Sequence, residues 1–255
     1  MRCLHMSGAG NDFMVIDGRG QNLNYETLSI ELCAITGADG FMALDHSDKA
    51  DFRLHYYNAD GSRGEMCGNG SRCICKFAYD LGIVGNEMTI ETDAGIVPGW
   101  RLNDTLFRVK LTRPVDIDLE AKPQIAYAVC GVPHAIAEVP GLKWEMKDSL
   151  REQAKSLRFD PVFPKGANVD FYAWENDTTV RVLSYERGVE DYTLACGTGC
   201  GALTAVLYTA GQLPGKTLTA INPGGTLRVT VEEQGGLISG LLLEGPAEVM
   251  GEYDI

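Results

Sequence analysis

Two cysteines in this 255-residue chain stand in matching surroundings. Cys67 is followed by Gly68, Asn69 and Gly70, and Cys196 by Gly197, Thr198 and Gly199, each ahead of a segment with helical apolar spacing. The first backbone N–H groups of a helix lack internal acceptors, and the helix dipole adds partial positive charge there. Neighbouring glycines let that backbone approach a ligand closely. Such a mouth binds an anion, a carboxylate included. The same field favours thiolate over thiol, which is expected to lower each cysteine from about 8.5 into a range of roughly 3.5–7.5. A thiolate so placed is a nucleophile or a base. Two of them, one on each face of a carbon next to a shared carboxylate, can remove a proton from one face and return one to the other. Identical groups can exchange acid and base roles with the direction of reaction. Polarising the carboxylate stabilises the enolate that develops.

Those thiols need elements to position them, and the sequence repeats itself in supplying them. At an offset of 196 − 67 = 129, Gly68 matches Gly197, Gly70 matches Gly199, Gly82 matches Gly211 and Gly95 matches Gly224. Ile74, Phe77, Ala78 and Leu81 form one helical stripe, and Leu203, Val206, Leu207 and Ala210 the other. Gly82 and Gly211 then stand where a helix C-terminus favours positive φ. A β-prone run follows each, "EMTIET" and "KTLTAI". The chain is expected to form two related halves, each a sheet wrapped around one helix that begins at its cysteine. "DFRLHYY", "LFRVKL", "TVRVLSY", "TLRVTV" and "SGLLLEG" supply further strands. The seam is expected near "TRPVDIDLEAKPQ", residues 112–124, where proline and charge interrupt the pattern.

Composition narrows the function classes. A formal charge of −13 disfavours nonspecific binding to nucleic acid or anionic membrane, whose recognition needs a basic surface. The start, "MRCLHMSGAGND", lacks the apolar core of a signal peptide, and no apolar run approaches ~20 residues, so a cytoplasmic location is expected. There the eight cysteines are expected to be free thiols. Cys33 and Cys130 read as small hydrophobes, and Cys73, Cys75 and Cys200 as packing residues. The cysteine spacings fit no standard zinc arrangement. "GAGNDF" at 8–13 has Phe13 in place of the third glycine of a dinucleotide loop and no expected strand before it, and "GTGCGA" lacks the Lys-Ser/Thr of a P-loop. No cofactor or metal is expected. A thiol redox or metal-binding module and a noncatalytic binding protein stay open beside the two-thiol enzyme.

"GAGNDFMVID", "NADGS…MCGNGSRC", "GVPH", "GANVDF", "ERG" and "ACGTG" follow one another in the order and spacing of the diaminopimelate epimerases, which the chain resembles from residue 6 to its end. The resemblance implies an α+β fold of two pseudosymmetric α/β halves, each a curved, mostly antiparallel sheet around a central helix. The last strand would return to the first half, giving 1–113 plus 246–255 and 114–245, with the active site in the cleft between them. It implies a cofactor-independent enzyme that interconverts LL- and meso-diaminopimelate for lysine and cell-wall synthesis. Cys67 and Cys196 would be the acid/base thiols, and Gly68, Asn69, Gly197 and Thr198 would present N–H groups to the reacting carboxylate. Asn11, Asn58, Asn168, Glu186 and Arg187 match positions that hold the substrate's amino groups and distal carboxylate, and His134 and Glu186 match polar residues flanking the thiols. The partner would be a small amino acid, with a homodimer as the assembly to test for.

Three departures from the family pattern surround the substrate positions. Val132 stands where many members carry Asn, Gly40 where some carry Gln, and "ERGVEDYTLACG" is one residue longer than the "ERGVGET" form, with Tyr192 beside the site. The inversion chemistry is untouched by them. A racemase of another amino acid, such as histidine, is the alternative reading, although Arg187 favours a second carboxylate on the substrate.

Overall fold

The computed structural model describes residues 1–64 and 67–255, so Glu65 and Met66, at the front of the first cysteine motif, lie outside the described residues. The chain divides into two units, Met1–Lys110 with Glu244–Ile255, and Leu111–Leu243.

In the first unit, β1 (Arg2–Gly8) and β2 (Asn11–Asp17) form an antiparallel hairpin. Ala9 (φ 63°) and Gly10 (φ 84°) make its two-residue turn, whose positive angles match the twist of the flanking strands. This corrects the expectation that no strand precedes "GAGNDF". The motif is a hairpin turn between two strands and opens no helix for a phosphate. Asn24 caps α1 (Tyr25–Thr36), accepting from the Thr27 N–H. Next come β3 (Gly40–Asp45), parallel to β2, and β4 (Phe52–Asn58), antiparallel to β3. The helix α2 (Gly68–Asp80) leads to β5 (Glu87–Thr92), parallel to β4, then β6 (Gly95–Arg101) and β7 (Leu106–Leu111) in antiparallel order.

The second unit repeats this plan. The strand β8 (Val115–Lys122) pairs antiparallel with β9 (Ile125–Cys130), and β10 (Val132–Glu138) pairs antiparallel with β9. The helix α3 (Lys147–Arg158) leads to β11 (Asn168–Asn176), parallel to β10, and β12 (Thr179–Glu186), antiparallel to β11. The short β13 (Asp191–Thr193) pairs with β12 ahead of α4 (Gly197–Thr209). Then β14 (Thr217–Asn222) lies parallel to β12, and β15 (Gly225–Gln234) antiparallel to β14. After β16 (Leu237–Pro246), β17 (Glu248–Asp254) pairs antiparallel with β1 in the first unit. Each unit thus runs hairpin, outer helix, hairpin, cysteine helix, hairpin.

The cysteine helices are the central ones. Ile74, Phe77 and Ala78 of α2 are buried, and the helix packs on β1, β2, β3 and β6. Leu203, Val206 and Leu207 of α4 are buried against the strands of the second unit, each contributing about 1.5–3 kcal/mol of apolar burial. Ala210 stands exposed at the end of α4 rather than continuing the stripe. Gly82 and Gly211 both have φ 69°. Beyond them the repeat slips by one residue: β5 starts at Glu87 and β14 at Thr217, an offset of 217 − 87 = 130. Gly95 (φ 118°) therefore corresponds to Gly225 (φ 149°), not to Gly224. Residues 112–124, read as an interruption, contain β8. Two register irregularities and Asp116 at φ 52° let that polar segment pair despite its pattern. Among the described residues no helix is long and apolar enough to cross a membrane.

Candidate active site

Each cysteine is the N-cap of its helix. Cys67 has φ −110° and ψ 116°, and Cys196 has φ −115° and ψ 107°, extended values that turn the sulfur back over the first helical turn. Sγ of Cys67 accepts from the Gly70 N–H at 3.5 Å, and Sγ of Cys196 from the Gly199 N–H at 3.4 Å. Two segments of different sequence thus build one capping geometry, because a small acceptor at N-cap followed by glycines satisfies the same orphan donor in both. Cys67 is partly exposed and Cys196 is buried; all eight cysteines are free. Cys3, Cys33, Cys73, Cys75, Cys130 and Cys200 are buried. Burial pushes Cys3 and Cys33 up to about 11 and Cys73 and Cys130 up to about 12, as inert core thiols require.

In the first unit the Cys67 thiol donates to Oδ1 of Asn11 at 3.5 Å, and Asn11 donates from Nδ2 to Asp39. Gly68 and Asn69 are buried in the first turn of α2. The wholly buried Arg72 donates to the Gly68 carbonyl at 3.2 Å and to Oδ1 of Asn69 at 3.1 Å, pinning that turn. Asn58 donates to Ser62 Oγ at 2.9 Å and accepts from Tyr56 Oη at 3.4 Å. Tyr56 explains the glycine at position 40: a Cβ there would lie 2.7 Å from Cε2 of its ring and 2.9 Å from the Tyr57 carbonyl oxygen. The ring occupies the space that a longer side chain would need. A small cavity lined by Met42, Tyr56, Gly64, Cys67, Gly70 and Asp93 adjoins the sulfur.

In the second unit, His134 on β10 and Asn168 on β11 are register partners beside the mouth of α4. Asn168 donates from Nδ2 toward Sγ of Cys196 at 3.9 Å and accepts the Arg187 N–H at 2.9 Å. His134 contacts Thr198 Oγ1 through Nε2 at 3.2 Å, and Thr198 Oγ1 lies 3.4 Å from Sγ of Cys196. Glu186 accepts from Thr193 Oγ1 at 2.6 Å. The Arg187 guanidinium donates to the Lys165 carbonyl at 3.0 Å and has no carboxylate within ion-pair distance among the described residues. Val132 and Tyr192 are half-buried.

The electrostatics of Cys196 depart from the expectation of a lowered thiol. Burial pushes it well above the ordinary thiol value, and the carboxylates of Glu186 and Asp170 push it further. The Thr198 and Gly199 hydrogen bonds act the other way and are outweighed. Burial likewise raises Glu186, with the charge of Asp170 adding to it against the Thr193 hydrogen bond. A helix dipole acts within one turn, whereas desolvation and two carboxylates act on the whole thiolate charge. These surroundings favour the thiol form of Cys196 over the thiolate.

Sequence reasoning missed Asp170, two residues after Asn168 on β11 and fully buried. Its signal was a single acid inside the apolar run "ANVDFYAW", which folds as a continuously buried strand start. One donor atom each from His134, Asp170 and Cys196 lie within 4.8 Å of one another, a nitrogen, oxygen and sulfur set of the kind zinc accepts. Close-pair spacing could not show this group, since its members come from β10, β11 and α4.

The sequence profile of diaminopimelate epimerase matches residues 3–114 and 126–250. A diaminopimelate epimerase of Aquifex aeolicus is 36% identical over 242 residues, 86% of each chain. One of Chlorobaculum tepidum is 36% identical over 255 residues, covering 96% of this chain and 97% of its own. Among solved structures, a hydroxyproline epimerase from Agrobacterium vitis with bound trans-4-hydroxy-L-proline superposes with a TM-score of 0.75 at 18% identity, over 100% of this chain and 90% of the other. A phenazine biosynthesis protein of the PhzF family from Bacillus anthracis gives 0.79 at 16% identity, over 100% and 98%. At these identities the structural likenesses bear on the fold.

Proposed function

We propose, from the premise that this chain belongs to the diaminopimelate epimerase family, that it interconverts LL- and meso-diaminopimelate with Cys67 and Cys196 as its two acid/base groups. The observation that carries the reading is the shared N-cap geometry of the two thiols. One sulfur, as thiolate, takes the α-hydrogen as a proton and leaves the electron pair on carbon, delocalised into the carboxylate. The other, as thiol, gives its proton to the opposite face, and the two exchange protonation states. Burial and the neighbouring carboxylates favour Cys196 as the group that starts protonated.

In this reading the first-turn amides of Gly68, Asn69, Gly197 and Thr198 receive the reacting carboxylate, where added negative charge is stabilised most. Asn11, Asn58, Asn168 and Glu186 hold the amino groups, and Arg187, with no carboxylate within ion-pair distance among the described residues, takes the distal one. His134 supports proton movement at Cys196. The step fits lysine and cell-wall precursor synthesis, in a cytoplasmic setting that keeps eight thiols reduced. A homodimer is one assembly that sedimentation velocity would test.

Incubation of enantiopure LL-diaminopimelate in D2O, with chelator and no added cofactor, should place deuterium at the α-carbon and yield the meso isomer. Exchange with histidine or another amino acid in its place would transfer the assignment to a different racemase. Loss of exchange on chelation, with stoichiometric zinc bound, would favour a metal site at His134, Asp170 and Cys196.

A further inference from the structure

We infer that Tyr56 is a positioning residue for Asn58: seated in a slot left open by Gly40 and Gly64, its hydroxyl acts with that of Ser62 to fix which way round the Asn58 amide stands. The inference rests on the reading of Asn58 as a residue that holds an amino group of the substrate. The two ends of an amide have nearly the same shape, so only partners of fixed polarity decide where its oxygen points. Ser62 is such a partner. Its Oγ–H donates to Oδ1 of Asp60 at 2.6 Å, and its backbone N–H donates to the same oxygen at 2.9 Å. Both bonds hold the Asp60 carboxyl below its ordinary value, so it is ionised and accepts only. With its one hydrogen taken by Asp60, Ser62 Oγ accepts from Asn58 Nδ2, 2.9 Å away. The amide oxygen therefore faces Tyr56, whose Oη donates to it at 3.4 Å.

The phenol is seated by two missing side chains. A Cβ on Gly40 would stand 2.7 Å from Cε2 and 3.3 Å from Oη of Tyr56. One on Gly64 would overlap the opposite ring edge and lie 2.9 Å from Cζ. The Gly64 N–H donates to the Tyr56 carbonyl at 3.1 Å, which keeps that glycine against the ring. Phe13 packs edge-on against Tyr56, with centroids 6.0 Å apart and planes at 74°. A ring held on these sides delivers its hydroxyl to one place. The turn that carries Ser62 is equally fixed: the Asn58 N–H donates to the Ser62 carbonyl at 2.8 Å, and the Gly61 N–H to the Asn58 carbonyl at 3.0 Å. Tyr56 also lines the small cavity beside Cys67, so the ring stands at the site.

This orientation suits a cationic amine. An ammonium group has three donors and no acceptor, so it needs the oxygen end of an amide. Oδ1 accepts from Tyr56 through one lone pair and keeps the other for the substrate. The reversed amide would turn its N–H groups toward Tyr56 and its oxygen toward Ser62, and the ammonium would meet donors only. Asp60, Ser62 and Tyr56 thus act on the substrate through Asn58 alone, and their loss is felt as weaker binding in the ground state and the transition state alike.

The test is steady-state kinetics with diaminopimelate on Tyr56→Phe, which keeps the ring in its slot and removes only the hydroxyl, and on Ser62→Ala. Each should raise KM by roughly 2- to 13-fold, the worth of one neutral hydrogen bond, with kcat nearly unchanged. Ser62→Thr, which keeps a hydroxyl, should restore the parent KM. The double variant should lose less than the product of the single effects, because both act through one amide. A parent KM in folded Tyr56→Phe and Ser62→Ala, or a loss confined to kcat, would overturn the inference. If Tyr56→Phe does not fold, Ser62→Ala and Ser62→Thr, at an exposed position, still decide. Asn58→Ala separates the two readings. A raised KM there, with Tyr56→Phe and Ser62→Ala at the parent value, removes the positioning role alone; an unchanged KM in Asn58→Ala removes Asn58 from the substrate, and the inference with it.

Discussion

Replacing Gly199 by alanine tests how tightly the acid of β11 is built into the mouth of α4. The added Cβ would stand 2.9 Å from Cγ of Asp170, against the 3.4–4 Å of ordinary contact, so the carboxylate or the helix must move by at least 3.4 − 2.9 = 0.5 Å. The acid cannot yield freely, being hydrogen-bonded to His134 and Ser184. Overpacking of this kind costs about 1–3 kcal/mol, offset by up to ~1 kcal/mol from better helix propensity. A net loss of roughly 1–2 kcal/mol corresponds to a melting shift of about 2–8 °C downward for a chain of this size. Gly70→Ala is the internal control for stability. Its Cβ would meet Met42 Sδ at 3.1 Å and the Phe13 ring at 3.4 Å, and a flexible thioether end can yield. Its melting temperature should stay within about 2 °C of the parent. Gly199→Ala should also lose turnover, by up to about 10²-fold, which is what a misplacement of one ångström can cost. Equal melting temperatures for the two variants, measured by calorimetry, would refute the wedge argument.

Cys67→Ala and Cys196→Ala should each abolish epimerisation while circular dichroism stays native, and the serine versions should retain one-sided activity, such as elimination from a halogenated analogue. Arg187→Met should raise KM for diaminopimelate by roughly 10- to 150-fold, the worth of a charged hydrogen bond of about 1.5–3 kcal/mol; an unchanged KM would remove Arg187 from the distal carboxylate. Glu186 gives a pH test. Burial raises it above its unfolded value, so the folded protein binds its proton more tightly and stability falls as pH rises from about 4.5 through the folded value. Glu186→Gln should therefore gain melting temperature relative to the parent as pH rises from 4 to 7, and a gap that stays constant would contradict the burial argument.

Sequence alone settled what depends on neighbours within a turn or a strand. A cysteine followed by Gly-x-Gly and a helical stripe becomes an N-cap at both places in this chain, because its partner N–H is three residues away. That is why Cys67 and Cys196 were legible as a pair and why Gly82 and Gly211 take the same positive φ. Tertiary structure decided what depends on charges and volumes brought from distant strands. Asp170 looks like one acid in an ordinary strand until β10, β12 and α4 close around it. Tyr56 accounts for Gly40 only once β3 and β4 pair. The Cys196 thiol was read from its own helix, yet desolvation and carboxylates from β11 and β12 set its protonation, since a buried charge answers to everything around it and a helix end only to its first turn.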